Sequence, residues 1–190
     1  MRVLAIADAR PHRPVAELVA ACEPELVLLL GDLEPAWIED LAAIDLPKLG
    51  VHGNHDAVDA LSAVGAEDIH LRQVEHGGLT FAGLAGSRRY SREGHYEWTD
   101  EEAEELVARL PGADVLLTHT PPAGVNDEPD DVVHRGWAAL VPWLEHERPA
   151  WLLHGHTHPR PDQIVHRVGD TQVAYVRGAA ILELTGRAAR

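Results

Sequence analysis

The first third of the chain alternates short apolar runs with segments of helical character. The apolar runs predict strands at 2–8, 25–32 and 48–56. The segments that follow them predict helices at 15–23, 35–44 and 57–65. The run at 25–32 is continuously apolar up to its last two residues, which is typical of a strand buried on both faces. This βαβαβα order predicts a parallel sheet with right-handed crossovers.

In the rest of the chain, predicted strands and helices alternate less regularly. The sequence predicts a hairpin at 72–86 with a Gly-Gly turn, a loop at 87–98, a helix at 99–110, a strand at 113–119, a long loop at 120–133, a helix at 136–146, a strand at 149–156 and a meander at 162–184. Thr99 and Glu102 form the pattern of a capping box. Pro142 lies inside the helix at 136–146, where a kink is expected. No repeat or linker divides the sequence, so we predict a single domain over residues 1–190.

Polar residues that can bind metal ions follow five of the predicted strands. They are Asp8, Asp32, Asn54, His119 and His156. The carboxyl ends of parallel strands gather at one edge of an open α/β sheet, where such folds place their sites. We therefore expect these side chains to meet in one metal centre.

Charge and cysteine content narrow the class of protein. The net charge is −15, which disfavours long nucleic acids because their binding proteins usually carry a basic face. The single cysteine, Cys22, excludes an internal disulfide and a multi-thiolate zinc site. No apolar run approaches the roughly 18 residues of a membrane span, and the N-terminal run is too short for a secretory signal. We expect a cytoplasmic protein with no membrane partner, and no particular oligomeric state is predicted.

Five short motifs carry a resemblance to a known family. The motifs are DAR (8–10), GDLE (31–34), GNHD (53–56), TH (118–119) and GHTH (155–158). In this order they resemble the calcineurin-like metallophosphoesterase superfamily. The runs HTPPAGVND and HRGWAAL…ERPAWLLHGHTHPRP further resemble its small single-domain bacterial branch, the Icc-like phosphoesterases. The resemblance implies a four-layer αββα sandwich of two mixed sheets flanked by helices, with a two-metal centre at the C-terminal edge of the strands.

The resemblance also implies a set of metal ligands. Asp32 would bridge the two ions, since a carboxylate offers two oxygens to two cations. Asn54, His119 and His156 would complete the second metal site, and Asp8 and His158 would join Asp32 on the first. Two such ions clamp a phosphoryl group and activate a water molecule. Imidazole, carboxylate and amide ligands suit Mn²⁺, Fe or Zn²⁺ better than a soft thiolate metal. Of these we expect Mn²⁺, with Fe or Zn²⁺ as alternatives.

Two residues of the GNHD motif are candidates for catalysis. His55 would lie over the substrate, where it either stabilises phosphoryl charge or protonates the leaving oxygen. Asp56 would orient His55 and raise its pKa. Asn54, His55 and Arg10 are the candidate substrate-binding residues, and the polar, aromatic loop at 87–98 is a further candidate at the rim.

The sequence departs from the family pattern at Arg10, where the first motif usually has histidine. Arginine stays protonated and cannot bind a metal ion. Either His12 bends back to replace the missing ligand, or water fills the position, or the first site is weak or empty. The planar guanidinium group of Arg10 itself suits the binding of a phosphate group.

These observations leave two functions of different kinds. The leading hypothesis is a metal-dependent phosphoesterase, specifically a phosphodiesterase that acts on a small nucleotide-like ester. The alternative is a non-catalytic metal-binding scaffold whose first metal site is defective at Arg10. The retention of Asp8 and His158 favours the enzyme. A zinc β-lactamase-like hydrolase, which shares the αββα architecture, is disfavoured because its His-x-His-x-Asp-His motif is absent.

Overall fold

A computed structural model describes residues 1–91 and 94–187 of the chain. The strands are β1 (Arg2–Ala7), β2 (Leu26–Leu29), β3 (Lys48–Gly50), β4 (Glu67–Asp68), β5 (Gln73–His76), β6 (Leu79–Leu84), β7 (Ser87–Arg88), β8 (Glu97–Trp98), β9 (Val115–Thr118), β10 (Trp151–His154), β11 (Arg167–Val168), β12 (Thr171–Tyr175) and β13 (Gly178–Glu183). The helices are α1 (Val15–Cys22), α2 (Pro35–Ile38), α3 (Ala60–Ala63), α4 (Asp100–Ala108) and α5 (Leu140–Glu147). Short 3-10 helices cover Glu39–Ala43 and Pro161–Gln163. No helix within these described residues is long and apolar enough to cross a membrane.

Two large mixed sheets form the frame of the molecule. Within the described residues, one has the strand order β13-β1-β2-β3-β4, and the other has the order β11-β12-β10-β9-β6-β5. Strands β1 to β4 run parallel, and β13 pairs antiparallel with β1. In the other sheet β6, β9, β10 and β12 run parallel, and β5 and β11 are antiparallel edge strands. The parallel strands thus point their carboxyl ends to a common edge.

Three apolar clusters separate four layers. Alternate residues of β1 and β2, such as Ala5 and Leu28, pack with Phe81 and Leu117 of the other sheet in the central cluster. The opposite faces of β1 and β2 pack on α1, α2 and α3. The outer face of the second sheet packs on α4 and α5 through residues such as Trp143. Because β1 and β2 are covered on both faces, their runs are apolar at almost every position. The predicted αββα architecture is confirmed.

The helix predicted at 136–146 begins later than its sequence pattern suggests. It starts at Leu140, so Pro142 falls in the first turn of α5. Backbone N–H groups in the first turn have no partner within the helix, and a proline there costs no hydrogen bond. At this position Pro142 interrupts no hydrogen bond of the helix, which removes one cause of the expected kink. The capping box of α4 is confirmed, with Thr99 and Glu102 bonding each other's backbone.

Two further predictions need correction. The segment at 87–98 is not entirely loop, because β7 and β8 form a short parallel pair at its two ends. The predicted meander at 162–184 is only partly right. Strand β11 turns back on β12 at Gly169 and Asp170, but β12 and β13 lie in different sheets. Both strands are apolar on their inner faces, and this pattern does not show which sheet each one joins.

Candidate metal centre

The residues predicted at the strand ends meet at one edge of the two sheets. Asp32 follows β2 of one sheet, whereas His119 and His156 follow β9 and β10 of the other. Their ligand atoms all lie within 4.8 Å of one another. We call these three residues and Asn54, which follows β3, the inner cluster.

Backbone carbonyls fix the orientation of both inner histidine rings. Nδ1–H of His119 donates to the carbonyl of Leu30 at 2.8 Å, and Nε2–H of His156 donates to the carbonyl of Val133 at 2.9 Å. A carbonyl only accepts, so each ring turns its other nitrogen, a lone pair in the neutral form, into the cluster. These two nitrogens are 3.1 Å apart, and Asp32 Oδ2 is 3.4 Å from His119 Nε2. Such a concentration of acceptors requires a cation, either a proton or a metal ion, between them.

Asn54 supplies a further oxygen. Its side chain is buried, and Oδ1 has no hydrogen-bond partner among residues 1–91 and 94–187. Its Nδ2 donates to the hydroxyl of Tyr90 at 3.1 Å, so the amide orientation is fixed. An unpaired buried carbonyl oxygen is costly unless a cation or water satisfies it. The donor set of two imidazoles, a carboxylate and an amide oxygen fits a divalent transition metal.

The charges within the inner cluster are strongly coupled. Burial would lower the pKa of His119, but the carboxylates of Asp32 and Asp8 raise it to about 9. Burial would raise the pKa of Asp32, but His119 holds it well below its usual range. Burial and the charge on His119 lower the pKa of His156 to about 3. The cluster therefore stabilises positive charge at the point where the rings meet.

Asp8 lies beside the inner cluster. Both carboxylate oxygens accept the backbone N–H of His156 at 2.9 Å, which joins the end of β1 to the end of β10. Burial raises the pKa of Asp8 to about 6, and the nearby carboxylate of Asp32 also raises it. In the described residues Asp8 belongs to no group of three ligand atoms within 4.8 Å.

The backbone at these strand ends adopts unusual conformations. Asp8, Asp32 and His156 have φ values of 55°, 53° and 68°, in the left-handed region that disfavours side chains. Such strain is concentrated at functional sites because surrounding structure has to hold it in place. Gly53 has no room for a side chain, since a Cβ there would overlap Asp32. Glycine at this position therefore permits the close approach of the loop to Asp32.

His55 and Asp56 have different surroundings. The exposed His55 donates its backbone N–H to Asp32 Oδ1 at 2.9 Å, and its Nε2 is 3.3 Å from the hydroxyl of Tyr90. In the described part of the chain, the hydrogen bonds of the Asp56 carboxylate go to backbone N–H groups of Asp32, Leu33 and Gly53. Asp56 thus joins the loop after β2 to the loop after β3. Tyr90 is the side chain that contacts the His55 ring.

Two clefts border the centre. One, of about 350 Å³, is lined by Asp8, Asp32, His55 and Trp37, among others. The other, of about 440 Å³, is lined by Arg10 and His12 and shares Trp37 with the first. In the described residues His12 belongs to no group of ligand atoms with Asp8 or Asp32. The structure therefore places Arg10 and His12 next to the centre but not within it.

In the described residues His158 forms no group of three ligand atoms with Asp8 and Asp32. Its side chain is 50% exposed, and its Nδ1 is 3.6 Å from Glu128 Oε1. Glu128, His134 and His158 offer ligand atoms within 4.8 Å of one another, and we call them the outer cluster. Sequence reasoning missed Glu128 and His134 because they lie in and just beyond a long loop without periodicity. The one available signal was the position of this loop directly after His119.

His154 supports this loop from inside the fold. Its side chain is completely buried. Nδ1–H donates to the carbonyl of Gly155 at 3.0 Å, so Nε2 accepts from Asn126 Nδ2 at 3.0 Å. Burial lowers the pKa of His154 to about 4, which keeps the ring neutral. Asn126 therefore anchors the start of the loop to β10.

Comparisons with known proteins identify the family of the chain and show which solved structures share its fold. Residues 1–180 match the calcineurin-like phosphoesterase superfamily domain. No curated protein is significantly similar to the chain in sequence. One solved crystal structure is similar with a TM-score of 0.69 and 17% identity, over 95% of this chain and 94% of that one. The crystal structure of TT1561 of Thermus thermophilus is similar with a TM-score of 0.59 and 17% identity, over 93% and 89%. At this identity the two structures show a shared fold, and the match over residues 1–180 shows that the chain belongs to the calcineurin-like phosphoesterase superfamily.

Proposed function

We propose that this protein is a metal-dependent phosphodiesterase that hydrolyses small, nucleotide-like phosphodiesters. Membership of the superfamily indicates metal-dependent phosphoester hydrolysis. The observation that carries the proposal is the inner cluster, where two imidazole nitrogens, a carboxylate and an unpaired amide oxygen converge. Divalent ions held by such ligands, with Mn²⁺ suited best and Fe or Zn²⁺ as alternatives, supply phosphoryl charge neutralisation and water activation.

Charge favours a diester over a monoester. The chain carries a net charge of −15, and Glu34 lines the cleft beside Asp8 and Asp32. A diester brings one negative charge to this site, whereas a monoester brings up to two. Arg10 replaces the usual histidine of the first motif, so the site also has one ligand fewer for a first metal ion. A less negative substrate therefore suits this cleft better.

The size of the cleft favours a small substrate. Its volume of about 350 Å³ is at the lower end for small-molecule sites. Arg10 lines the adjoining cleft together with Trp37, and its guanidinium would contact a substituent or phosphate that extends past Trp37. The acidic surface disfavours long nucleic acids. The proposal includes a cytoplasmic location, which agrees with a single, unpaired cysteine.

His55 is the candidate proton donor. Its ring is exposed at the rim of the cleft, and its backbone is fixed by Asp32. A histidine at such a rim can protonate the leaving oxygen of the ester. The hydroxyl of Tyr90 lies between Asn54 and the His55 ring and holds both in position.

Hydrolysis of a chromogenic diester tests the proposal. Metal-stripped protein should hydrolyse bis-p-nitrophenyl phosphate after Mn²⁺ is added, and more slowly hydrolyse the matching monoester. His119→Ala removes an inner ligand and should abolish the rate, whereas His146→Ala, on the exposed face of α5, is the matched control. No turnover with any divalent ion, despite bound metal, would instead identify the metal-binding scaffold, which the substitution at Arg10 favours.

A further inference from the structure

A second group of candidate ligands lies on the loop after His119. It is the outer cluster of Glu128, His134 and His158. We propose that the outer cluster binds a transition-metal ion of its own, of the zinc and cobalt class, and that His158 belongs to this site instead of one with Asp8. The inference does not depend on hydrolysis, because it concerns metal binding alone.

One carboxylate oxygen lies at the centre of the outer cluster. Glu128 Oε1 accepts the backbone N–H of His158 at 2.9 Å and is 3.6 Å from the Nδ1 of the same residue. It is also 4.0 Å from His134 Nδ1. The two imidazole rings meet edge to face, with centroids 4.9 Å apart. The three groups thus offer ligand atoms that lie within 4.8 Å of one another, and side-chain rotation would bring them to metal-ligand distances.

Backbone hydrogen bonds organise the segment between Glu128 and His134. The N–H of Glu128 donates to the carbonyl of His134 at 3.1 Å, and the N–H of Asp131 donates to the carbonyl of Glu128 at 2.9 Å. The Asp131 carboxylate lies 2.9 Å from His134 Nδ1. With Nδ1–H donated to Asp131, Nε2 of His134 is the nitrogen left to bind an ion, and the carboxylate orients the ring and increases its basicity. Little loop entropy is therefore lost when an ion binds.

The ligand chemistry indicates the class of metal. Two histidines and one glutamate form a common protein ligand set for zinc, which leaves a fourth position open for water. Imidazole ligands disfavour Mg²⁺ and Ca²⁺, which prefer oxygen. The side chains of Glu128, His134 and His158 are 36%, 24% and 50% exposed. Solvent therefore reaches the site, and we expect weaker binding here than at the buried inner cluster.

The loop that carries His134 contacts the inner cluster. The carbonyl of Val133, directly before His134, accepts the Nε2–H of His156 at 2.9 Å. The rings of His134 and His156 have centroids 5.2 Å apart. An ion on the outer cluster would fix the carbonyl that orients His156. Since coupling between sites is reciprocal, each ion should strengthen the binding of the other.

Cobalt titration of the metal-stripped protein tests the inference. Calorimetry gives the number of ions, and the visible absorption of Co²⁺ reports on its ligands. We expect the wild type to bind one ion on each cluster. His134→Ala and Glu128→Gln should each weaken binding of the second ion by at least about tenfold, in the range known for disturbed metal sites. His146→Ala should behave as the wild type.

The competing assignment of His158 gives a different result. If Asp8→Asn loses the second ion while His134→Ala and Glu128→Gln keep it, His158 binds with Asp8 and the inference is overturned. Binding of a single ion, lost only in Asp32→Asn, would also overturn it. Thermal unfolding of the metal-free variants checks that the fold is intact, and Glu128→Gln carries the test if His134→Ala unfolds. Protein that binds both ions but hydrolyses no diester would reject the proposed function and support the inference.

Discussion

The inner and outer clusters offer similar ligands but are built differently. The inner cluster uses residues at the ends of β2, β3, β9 and β10, and the His119 side chain is fully buried. The outer cluster depends on a loop and on the exposed side chain of His158. Burial strengthens electrostatic interactions with a cation and also makes an unpaired ligand more costly. The inner cluster should therefore bind its ion tightly and carry the chemistry, whereas the outer one should exchange its ion with solvent.

The largest effect is expected from Asp32→Asn, which removes the charge of the inner cluster but keeps its shape. Loss of several kcal/mol of charge stabilisation at the metal should lower kcat/KM for a diester by about 10³-fold or more. Metal analysis should show loss of the tighter ion. His146→Ala provides the comparison. Activity of Asp32→Asn near the wild-type level would contradict the claim that the inner cluster carries the chemistry.

His55→Ala separates catalysis from metal binding at the inner cluster. The His55 ring contacts Tyr90 and lies at the rim, and only its backbone N–H contacts Asp32. We expect kcat to fall by about 10²-fold, the usual range for a general acid, while the metal content stays unchanged. Steady-state kinetics and metal analysis on the same preparation check this. An unchanged kcat would exclude a role for the ring in proton transfer.

A pair of glycine substitutions compares the rigidity of the two regions. In Gly53→Ala the new Cβ would overlap Asp32, so the inner cluster has to shift. Gly124→Ala, in the loop that leads to the outer cluster, has open space and only the strain of a φ of 79°. We expect Gly124→Ala to cost about 1 kcal/mol in the free energy of unfolding, and Gly53→Ala to cost more and also weaken metal binding. Chemical denaturation measures both, and equal costs would contradict the difference in rigidity.

A smaller effect should appear in the pH dependence of the metal-free protein. The pKa of His119 is raised from 6.5 to about 9, so the folded state holds this proton more tightly than the unfolded chain. This contribution to stability is complete below pH 6.5 and is lost as the pH rises towards 9. Asp8 and His156, with pKa values of about 6 and 3, titrate below that window. Denaturation between pH 6.5 and 9 should show falling stability in the wild type and a flatter profile in His119→Gln.

The inner cluster was predictable because its residues follow apolar runs. Asp32 and His156 stand next to buried strands, and parallel strands bring such positions to one edge. The family resemblance added the pairing of Asp32 with Asn54 and His119. The apolar runs predicted the parallel strands, and the family resemblance supplied the four-layer architecture.

The outer cluster was not predictable by this reasoning. Glu128 lies within a loop without periodicity and His134 just beyond it, and their position next to His158 depends on long-range contacts of that loop. The pairing of His158 with Asp8 came from the family pattern and stays a prediction. The start of α5 at Leu140 was missed for a related reason, since apolar residues from 136 onwards fit a helix equally well.

Anomalous diffraction from crystals grown with Zn²⁺ or Mn²⁺ tests the central claim most directly. The account predicts a peak within about 2.0–2.3 Å of His119 Nε2 and His156 Nδ1, with oxygens of Asp32 and Asn54 completing the coordination. Metal bound only elsewhere, with these two nitrogens still facing each other across an ion-free gap, would contradict it.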